Sequence, residues 1–310
     1  KRKDVIYLKE NRNQILAKLS LLIVAIVWGS SLTVVKSSTD AIPPNYLLAL
    51  RFTIACLTLC IIFHNKLKLL NKEYFRCGFI IGFCLFIAYC SQTIGVIFAM
   101  PGKSAFLSSS YCVIVPFLFW IVDHKKPNRY NLIAALLCTI GIIAASLSKD
   151  FLITKGDSLA LLSAFLFASH IVSVAKYARG KDPILMTILQ FGFSAIFSWI
   201  VTLLFEEPAK TMWNFTNFSG VLYLSLACTA LSILLQNVGQ KYTDPSSASL
   251  ILSLESVFGI LFSVLFYHEI INFRLAFGFI LILSAVIISE TRLSFLKKFM
   301  VYIRIKIRNT

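Results

Sequence analysis

A single carboxylate stands in the middle of a long apolar stretch of this sequence. Glu255 lies ten residues into the run from Pro245 to Glu269. A run of this length can cross a membrane, because about 20 helical residues at about 1.5 Å each span the roughly 30 Å hydrocarbon layer. An ionisable side chain at mid-depth is unfavourable unless it faces a cavity or a partner. We therefore expect Glu255 either to bind a substrate cation or a coupling proton, or to hydrogen-bond a neighbouring helix as a protonated structural group.

Four other polar side chains inside apolar runs are candidate site residues, and each has two interpretations. Arg51 lies about six residues, or about 9 Å, from the nearer end of its run. Its guanidinium therefore either snorkels to the membrane surface or holds a substrate carboxylate. Gln92 and Gln236 either bind polar groups of a substrate or join helices by hydrogen bonds. His170 is either a proton relay or a hydrogen-bonded structural group.

Aromatic side chains complete the set of candidate site residues. Trp28, Phe167, Tyr89 and Tyr111 fall near the middle of their runs. Such rings can wall a cavity and stack on a flat or cationic substrate. The alternative is packing against helices or lipid, because the chain holds 27 Phe and aromatic rings are common throughout it.

The composition is that of a membrane protein. Of the 310 residues, 58% are hydrophobic and only 14% are charged, and the mean hydropathy is +0.80. A soluble domain carries about a quarter charged residues. The net charge of +16 would suggest nucleic acid in a soluble protein, but here the basic residues gather between apolar runs. We therefore expect an all-α integral membrane protein with the lipid bilayer as a partner and no nucleic acid.

The sequence lacks the residue patterns that are expected of several other functional classes. The eight cysteines form no CxxC motif and are interpreted as small core residues, so no metal and no cofactor is expected. An intramembrane enzyme needs a nucleophile with a base or a metal cluster, and a channel needs a selectivity ring. A Gly-rich phosphate loop ending in GKS or GKT is absent, so nothing indicates primary energisation. The sequence favours a transporter over an enzyme or a channel.

Ten apolar runs predict ten transmembrane helices. They lie at about 18–37, 45–63, 76–98, 103–122, 130–148, 157–177, 184–205, 219–241, 246–267 and 273–290. With the N-terminus inside, 23 of the 30 Lys and Arg fall in inside segments and six in outside loops. Since basic residues favour the cytoplasmic side, both termini are predicted to be cytoplasmic, in a multi-pass protein of the cell inner (plasma) membrane.

The two halves of the chain are related by a sparse internal repeat. A shift of 139 residues aligns Ser30 with Ser169, and a shift of 144 aligns Gln92 with Gln236 and Pro101 with Pro245. Five spans per half is an odd number, so the second half is expected to be inserted upside down. The predicted organisation is an N-tail at 1–17, repeats at 18–150 and 151–291, and a basic C-tail at 292–310. The shift of 144 pairs Tyr111 with Glu255.

Several short motifs resemble the EamA-type members of the drug/metabolite transporter superfamily. They are Trp28-Gly29-Ser30-Ser31, Leu50-Arg51-Phe52, Lys103-Ser104-Ala105-Phe106-Leu107, Val115-Pro116-Phe117 and Ser249 to Glu255, followed by His268-Glu269. The resemblance implies two inverted five-helix repeats around a central cavity. It also implies transport of small metabolites, amino acids, drugs or nucleotide sugars. Many second halves of this family have Pro after the Glu, whereas this chain has Ser256, a departure that bears on the helix kink near the site.

The resulting functional prediction is a secondary-active or facilitative transporter that works by alternating access. Aromatic walls, one carboxylate and one guanidinium suit a zwitterion, such as an amino acid or S-adenosylmethionine, moved by an exporter or exchanger. The alternative is a proton-coupled exporter of drugs or cations that uses Glu255. Protons are thus a candidate coupling partner, and the chain is expected to be a monomer or a homodimer.

Overall fold

The computed structural model describes residues 2–146, 154–207, 213–268, 270 and 273–291, and the regular secondary structure in these ranges is helical. The predicted C-tail at 292–310 lies outside the described residues. Thirteen α-helices are present in the described part: α1 Arg2–Thr39, α2 Pro44–Ile62, α3 Lys72–Ile97, α4 Pro101–Ser108, α5 Tyr111–Asp123, α6 Arg129–Ser146, α7 Lys155–Tyr177, α8 Pro183–Phe205, α9 Phe215–Tyr223, α10 Ser232–Gln240, α11 Pro245–Leu252, α12 Glu255–Tyr267 and α13 Phe273–Thr291.

Eight helical units in the described residues are long and apolar enough to cross a membrane. Five are single helices (α1 from Asn13, α2, α3, α7 and α8), and three are helices in series (α4 with α5, α9 with α10, and α11 with α12). The all-α, multi-helix membrane fold predicted from the sequence is confirmed. The predicted fifth and tenth spans coincide with α6 and α13, whose described apolar parts are shorter, at Arg129–Gly141 and Ala276–Ala285. The number ten therefore stays a prediction.

Helix packing follows the internal repeat. In the second half, α7 packs against α3, α4 and α5 of the first half. In the first half, α1 packs in the same way against α10, α11 and α12 of the second. The equivalent helices α2 and α8 pack on each other, and so do α6 and α13. This reciprocal pattern is that of two halves related by a pseudo-two-fold axis.

The fourth unit of each half is broken at the same place. Helix α4 ends at Ser108 and α5 begins at Tyr111, while α11 ends at Leu252 and α12 begins at Glu255. At both breaks the backbone tightens to i→i+3 hydrogen bonds, as from Cys112 N to Ser109 O at 3.2 Å. Serine hydroxyls supply a local cause, because they compete for backbone carbonyls in this region. Tyr111 and Glu255 are thus the first residues after two matching breaks.

A close helix crossing holds the second break in position. A Cβ atom placed on Gly29 of α1 would lie 2.4 Å from Phe258 Cβ, and one on Gly259 of α12 would lie 2.6 Å from Ala105 Cβ. The two glycines let α1, α12 and α4 approach at a distance that no larger residue permits. This contact fixes α12 directly beside α1.

Candidate functional site

A small cavity of about 20 Å³ lies between the two broken units and the helices α1, α3 and α7. It contains six of the nine residues predicted from the sequence to form the site. Its lining consists of Trp28, Ser31, Leu32, Tyr89, Gln92, Ala105, Tyr111, Phe167 and Glu255. A cavity needs about 10–15 Å³ to hold one water molecule, so the helices close tightly around this centre. A metabolite can occupy it only after the helices move apart.

Glu255 is buried in this cavity, with 8% of its surface exposed. The Ser109 hydroxyl of the opposite break donates a hydrogen bond of 3.2 Å to Glu255 Oε1. Within the described part of the chain, Glu255 forms no ion pair. It stands in the first turn of α12, whose backbone amides already bond to carbonyls of the preceding turn. The carboxyl group therefore has local support but no cationic partner.

Tyr111 faces the same cavity from α5. Its ring is 2% exposed, and its hydroxyl, which lies near the Glu255 carboxyl, has no hydrogen-bond partner of good geometry among the described residues. The ring packs edge-on against Phe167 at 6.4 Å, and Phe167 packs against Tyr89 at 5.2 Å. Three of the predicted aromatic residues thus form one continuous wall beside Glu255.

Arg51 lies behind that wall. It is only 1% exposed, so it does not snorkel to the membrane surface, and this alternative from the sequence is excluded. Its Cζ atom stands over the Tyr89 ring at 4.6 Å from the ring centroid, and its Nε donates to Thr229 Oγ1. The Nη2 atom has no partner among the described residues. A buried guanidinium of this kind is costly unless an anion joins it.

A π-helical segment, Leu224–Leu231, connects α9 to α10 and contacts two of the predicted residues. The Cys228 carbonyl accepts a 2.9 Å hydrogen bond from the Trp28 indole, and Thr229 accepts the bond from Arg51. Extra-wide turns of this type occur frequently at functional sites, because they redirect backbone groups. Sequence reasoning missed this segment, since its small residues carry no signal that distinguishes a π turn from an α turn.

The two glutamines of the repeat lie in different surroundings. Gln92 lines the cavity, and its Nε2 donates to Ser108 Oγ at 3.2 Å. Gln236 is 1% exposed, lies outside the cavity lining, and has an unpartnered Oε1 in the described structure. The two glutamines are equivalent in the sequence repeat, but only one of them lines the cavity.

His170 also lies outside the cavity lining. Its Nε2 is 3.0 Å from Gln190 Oε1, which joins α7 to α8 in the buried interior. This geometry agrees with the structural interpretation of His170. Ser31, Leu32, Ala105 and Ser109 are the site residues that the sequence did not single out, because small and aliphatic side chains are ordinary in apolar runs.

Side chains join the helices at the end of the molecule where α1 ends and α2 begins. Lys103 Nζ of α4 is 2.9 Å from Asp157 Oδ2 of α7. Lys36 Nζ donates to the carbonyls of Val96 and Ile97, at 3.0 and 2.6 Å, at the end of α3. A cation suits this position, because the last carbonyls of a helix carry a partial negative charge.

The carboxylate of Glu206 adds a further link at this end. It accepts the backbone amides of Asn45 and Tyr46, at 2.9 and 2.7 Å, and so caps α2 from the end of α8. The cavity is therefore separated from this end of the molecule by several polar links between helices.

With this geometry in place, sequence comparison identifies the family. Residues 15–147 and 154–291 each match the EamA-like transporter family. The chain belongs to this family. The resemblance expected from the motifs is thereby confirmed, and an EamA-like transporter is a multi-pass membrane protein, as the eight apolar helical units indicate.

Several relatives of this EamA-like chain are named as transporters. An "Uncharacterized transporter" of Archaeoglobus fulgidus is 34% identical over 91% of this chain and 88% of its own length. The "Uncharacterized transporter YoaV" of Bacillus subtilis is 23% identical over 85% and 93%. "Protein PecM" of Dickeya dadantii is 28% identical over 64% and 70%. A solved crystal structure, 19% identical, superimposes with a TM-score of 0.69 over 88% of this chain and 96% of its own, which supports the fold.

The described part of this EamA-like transporter offers no metal site. No group of three or more His, Cys, Asp and Glu side chains comes together in the described ranges, and the eight cysteines are free thiols. What the cavity provides is a carboxyl group, an aromatic wall and, behind it, a guanidinium. These groups can bind a polar ligand by charge, hydrogen bonds and stacking.

Proposed function

We propose that this EamA-like transporter carries a small zwitterionic metabolite through the central cavity by alternating access. The observation that carries the proposal is a buried carboxyl group and a buried guanidinium that do not meet. Glu255 and Arg51 both lie within electrostatic reach of Tyr89, yet neither forms an ion pair in the described structure. An ammonium group beside Glu255 and a carboxylate beside Arg51 would satisfy both. Amino acids and amino-acid-bearing nucleosides such as S-adenosylmethionine have this chemistry.

The aromatic wall supports the same class of ligand. Trp28, Tyr89, Tyr111 and Phe167 surround the carboxyl group of Glu255 and offer ring faces to a cation or a flat side chain. The guanidinium stands over the Tyr89 ring and is absent from the cavity lining, so a substrate carboxylate in the cavity needs this ring to turn aside before it reaches Arg51. We therefore propose that substrate binding moves Tyr89.

The matching helix breaks support alternating access. Discontinuous helices in two related halves place substrate sites near the membrane midplane in several transporter folds. Here Tyr111 and Glu255, the first residues after the two breaks, line the same cavity. We propose that the two broken units rock against α1 and α7, with both termini in the cytoplasm and the protein in the cell inner (plasma) membrane as a monomer or homodimer.

A binding test addresses the substrate class. The purified protein is incubated with the twenty amino acids and S-adenosylmethionine, and then with the decarboxylated and deaminated analogues of each compound that raises the melting temperature. A ligand that binds the native state stabilises it. We expect stabilisation only by compounds that carry both charged groups, and loss of the shift in both Glu255→Gln and Arg51→Gln.

A second candidate function is a proton-coupled exporter of cations, with Glu255 as the proton carrier. It is favoured by the burial of Glu255 with Ser109 as its hydrogen-bond donor. The same experiment separates the two functions. If decarboxylated amines stabilise the protein and Arg51→Gln leaves their affinity unchanged while Glu255→Gln abolishes it, the cation exporter replaces the zwitterion carrier.

A further inference from the structure

A second, larger cavity opens at the opposite end of the molecule from the polar links around Lys103. It has a volume of about 310 Å³ and lies between the ends of α5, α7, α8, α10 and α11. It shares no lining residue with the central cavity. Along α5, its first lining residue, Phe119, is eight residues beyond Tyr111, or about 12 Å at helical rise. We call it the end pocket.

Three residues that line the end pocket carry buried polar atoms without partners. Asn237 is 5% exposed, and its Nδ2 donates to Thr187 Oγ1 at 2.8 Å, which leaves its Oδ1 unpaired. Both amide atoms of Gln240 and the hydroxyl of Thr243 are also buried without a partner in the described structure. An unpaired buried polar group costs about 1–3 kcal/mol. Several such atoms in one pocket indicate that a polar ligand completes it.

The charges around the end pocket define the sign of that ligand. Four basic and two acidic side chains line it: Lys125, Arg179, Lys181, Lys241, Asp123 and Asp244. Asp123 already holds two of the cations, at 2.9 Å to Lys125 and 3.6 Å to Arg179. Asp244 is used as the cap of α11, where it accepts two backbone amides. The acidic groups are therefore engaged.

Lys241 is the basic side chain of the pocket whose charge is available to a ligand. Within the described residues it forms no ion pair, and its ammonium lies 5.8 Å from the ring centroid of Tyr242. Both Lys241 and Gln240 line the end pocket, so a charged side chain and an unpaired amide border the same cavity. An anionic oxygen is the natural partner for both.

We propose that the end pocket is a binding site for a small organic oxyanion, a carboxylate or a phosphate, that also carries hydroxyl or amine donors. Lys241 and the Gln240 amide hydrogens bind the oxyanion. The unpaired oxygens of Asn237 and Gln240 accept the ligand's own donors. The two cavities have no lining residue in common.

Three matched probes test the proposal by isothermal titration against the full chain in lipid nanodiscs. They are glycerol 3-phosphate, glycerate and glycerol, which share hydroxyl donors and differ in the charged group. We expect at least one anion to bind with a dissociation constant below about 1 mM, and glycerol not to bind. The tighter of the two anions identifies the oxyanion as phosphate or carboxylate.

Two variants locate the binding. Gln240→Met keeps the length of the side chain, removes its hydrogen bonds and should weaken binding about tenfold. Lys241→Gln changes an exposed side chain, so it does not affect folding, and it should weaken binding and reduce its dependence on salt. Glu255→Gln in the central cavity is the control and should bind as the parent protein does.

Three results would overturn the proposal. Neither anion binds at millimolar concentration, glycerol binds as well as the anions, or binding disappears in Glu255→Gln and survives in Gln240→Met and Lys241→Gln. The last result would assign the oxyanion to the central cavity. If Gln240→Met fails to fold, Lys241→Gln alone decides, since unchanged affinity in that variant contradicts the assigned contact.

Discussion

Some buried side chains in this protein have polar atoms without a hydrogen-bond partner. Replacing such a side chain separates its effect on stability from its effect on ligand binding. Tyr111 is 2% exposed, and its hydroxyl has no hydrogen-bond partner of good geometry in the described structure. Removing such a hydroxyl should leave the stability of the empty protein unchanged or higher, because an unmet desolvation cost disappears. If substrate uses the hydroxyl, Tyr111→Phe should also weaken binding, by about tenfold.

The Tyr111→Phe prediction is measured as a melting temperature without ligand and a dissociation constant with it. Phe167→Leu is the comparison, since it reduces the aromatic wall without touching a hydrogen bond. A large loss of stability with unchanged affinity would mean that the Tyr111 hydroxyl is a structural group.

Replacing Arg51 is predicted to have opposite effects on the stability of the empty protein and on substrate binding. Replacing a buried, incompletely paired charge by an apolar side chain of similar length is often neutral or stabilising. Arg51→Met should therefore keep or raise the melting temperature of the empty protein and abolish binding of carboxylate-bearing ligands. Arg51→Lys should fail to restore affinity, because an ammonium does not reproduce the fork of donors of a guanidinium. Normal affinity in Arg51→Met would remove the carboxylate half of the site.

These residue positions show how far the sequence alone can reach. Glu255 and Arg51 are predictable, because charge inside an apolar run is rare and has few explanations. The sequence does not predict that Arg51 is buried beside Tyr89. That depends on which face of its helix points into the folded molecule. Gln236 illustrates the same limit, since its repeat partner Gln92 lines the cavity and Gln236 does not.

At the scale of helices, the crossing of α1 and α12 depends on glycine. A methyl group on Gly29 would meet Phe258 Cβ at 2.4 Å and the Gly259 backbone nitrogen at 2.9 Å. Gly29→Ala should therefore destabilise the protein by about 1–3 kcal/mol, because backbone atoms must move. Gly192→Ala is the matched control in α8, where the nearest atom is Cys56 Sγ at 3.7 Å, and it should be neutral or stabilising. Equal melting temperatures for both variants would contradict the close crossing.

The start of α8 provides a prediction about pH. Asp182 precedes Pro183, accepts the amides of Ile184 and Leu185, and binds Lys66 at 2.7 Å. Partial burial acts to raise the pKa of this carboxyl, but the bonds to Lys66 and the amides outweigh it and hold the pKa below its usual 3.8. Its stabilising effect is therefore complete above about pH 4 and is lost as the pH falls below that value.

Asp182→Asn tests this prediction. The variant should be less stable than the parent protein at pH 7, and the difference should shrink when both are melted at progressively lower pH below about 4. A difference that does not change with pH would show that the charge of Asp182 contributes nothing and that only its capping geometry matters.

Helix breaks were the least predictable feature at this scale. Pro116 belongs to a motif in the fourth run, yet that run is interrupted at Ser109 and Ser110, before the proline. In the second half, Ser256 stands where many family members have Pro, and the break is still present at Ser253 and Leu254. Serines that bond to carbonyls of the preceding turn accompany both breaks, a role that a serine's identity alone does not reveal.

The two ends of the whole molecule differ. Polar links join the helices at one end, the first face, and the end pocket opens at the other end, the second face. Lys103 with Asp157 and Glu206 with Asn45 join helices at the first face. At the second face, a cavity of about 310 Å³ stands open between the ends of the helices. In alternating access, the helices would separate at the first face and close at the second face, so that the central cavity opens to the other side of the membrane.

The central claim is that this chain is a carrier whose substrate holds Glu255 and Arg51 at once. Counterflow in proteoliposomes tests it most directly, with unlabelled substrate inside and a trace of the labelled compound outside. We use the zwitterion that stabilises the purified protein. Preloading should accelerate labelled uptake in the parent protein, and Glu255→Gln and Arg51→Gln should each abolish this acceleration. Uptake that is indifferent to preloading, or counterflow that survives both substitutions, would contradict the central claim.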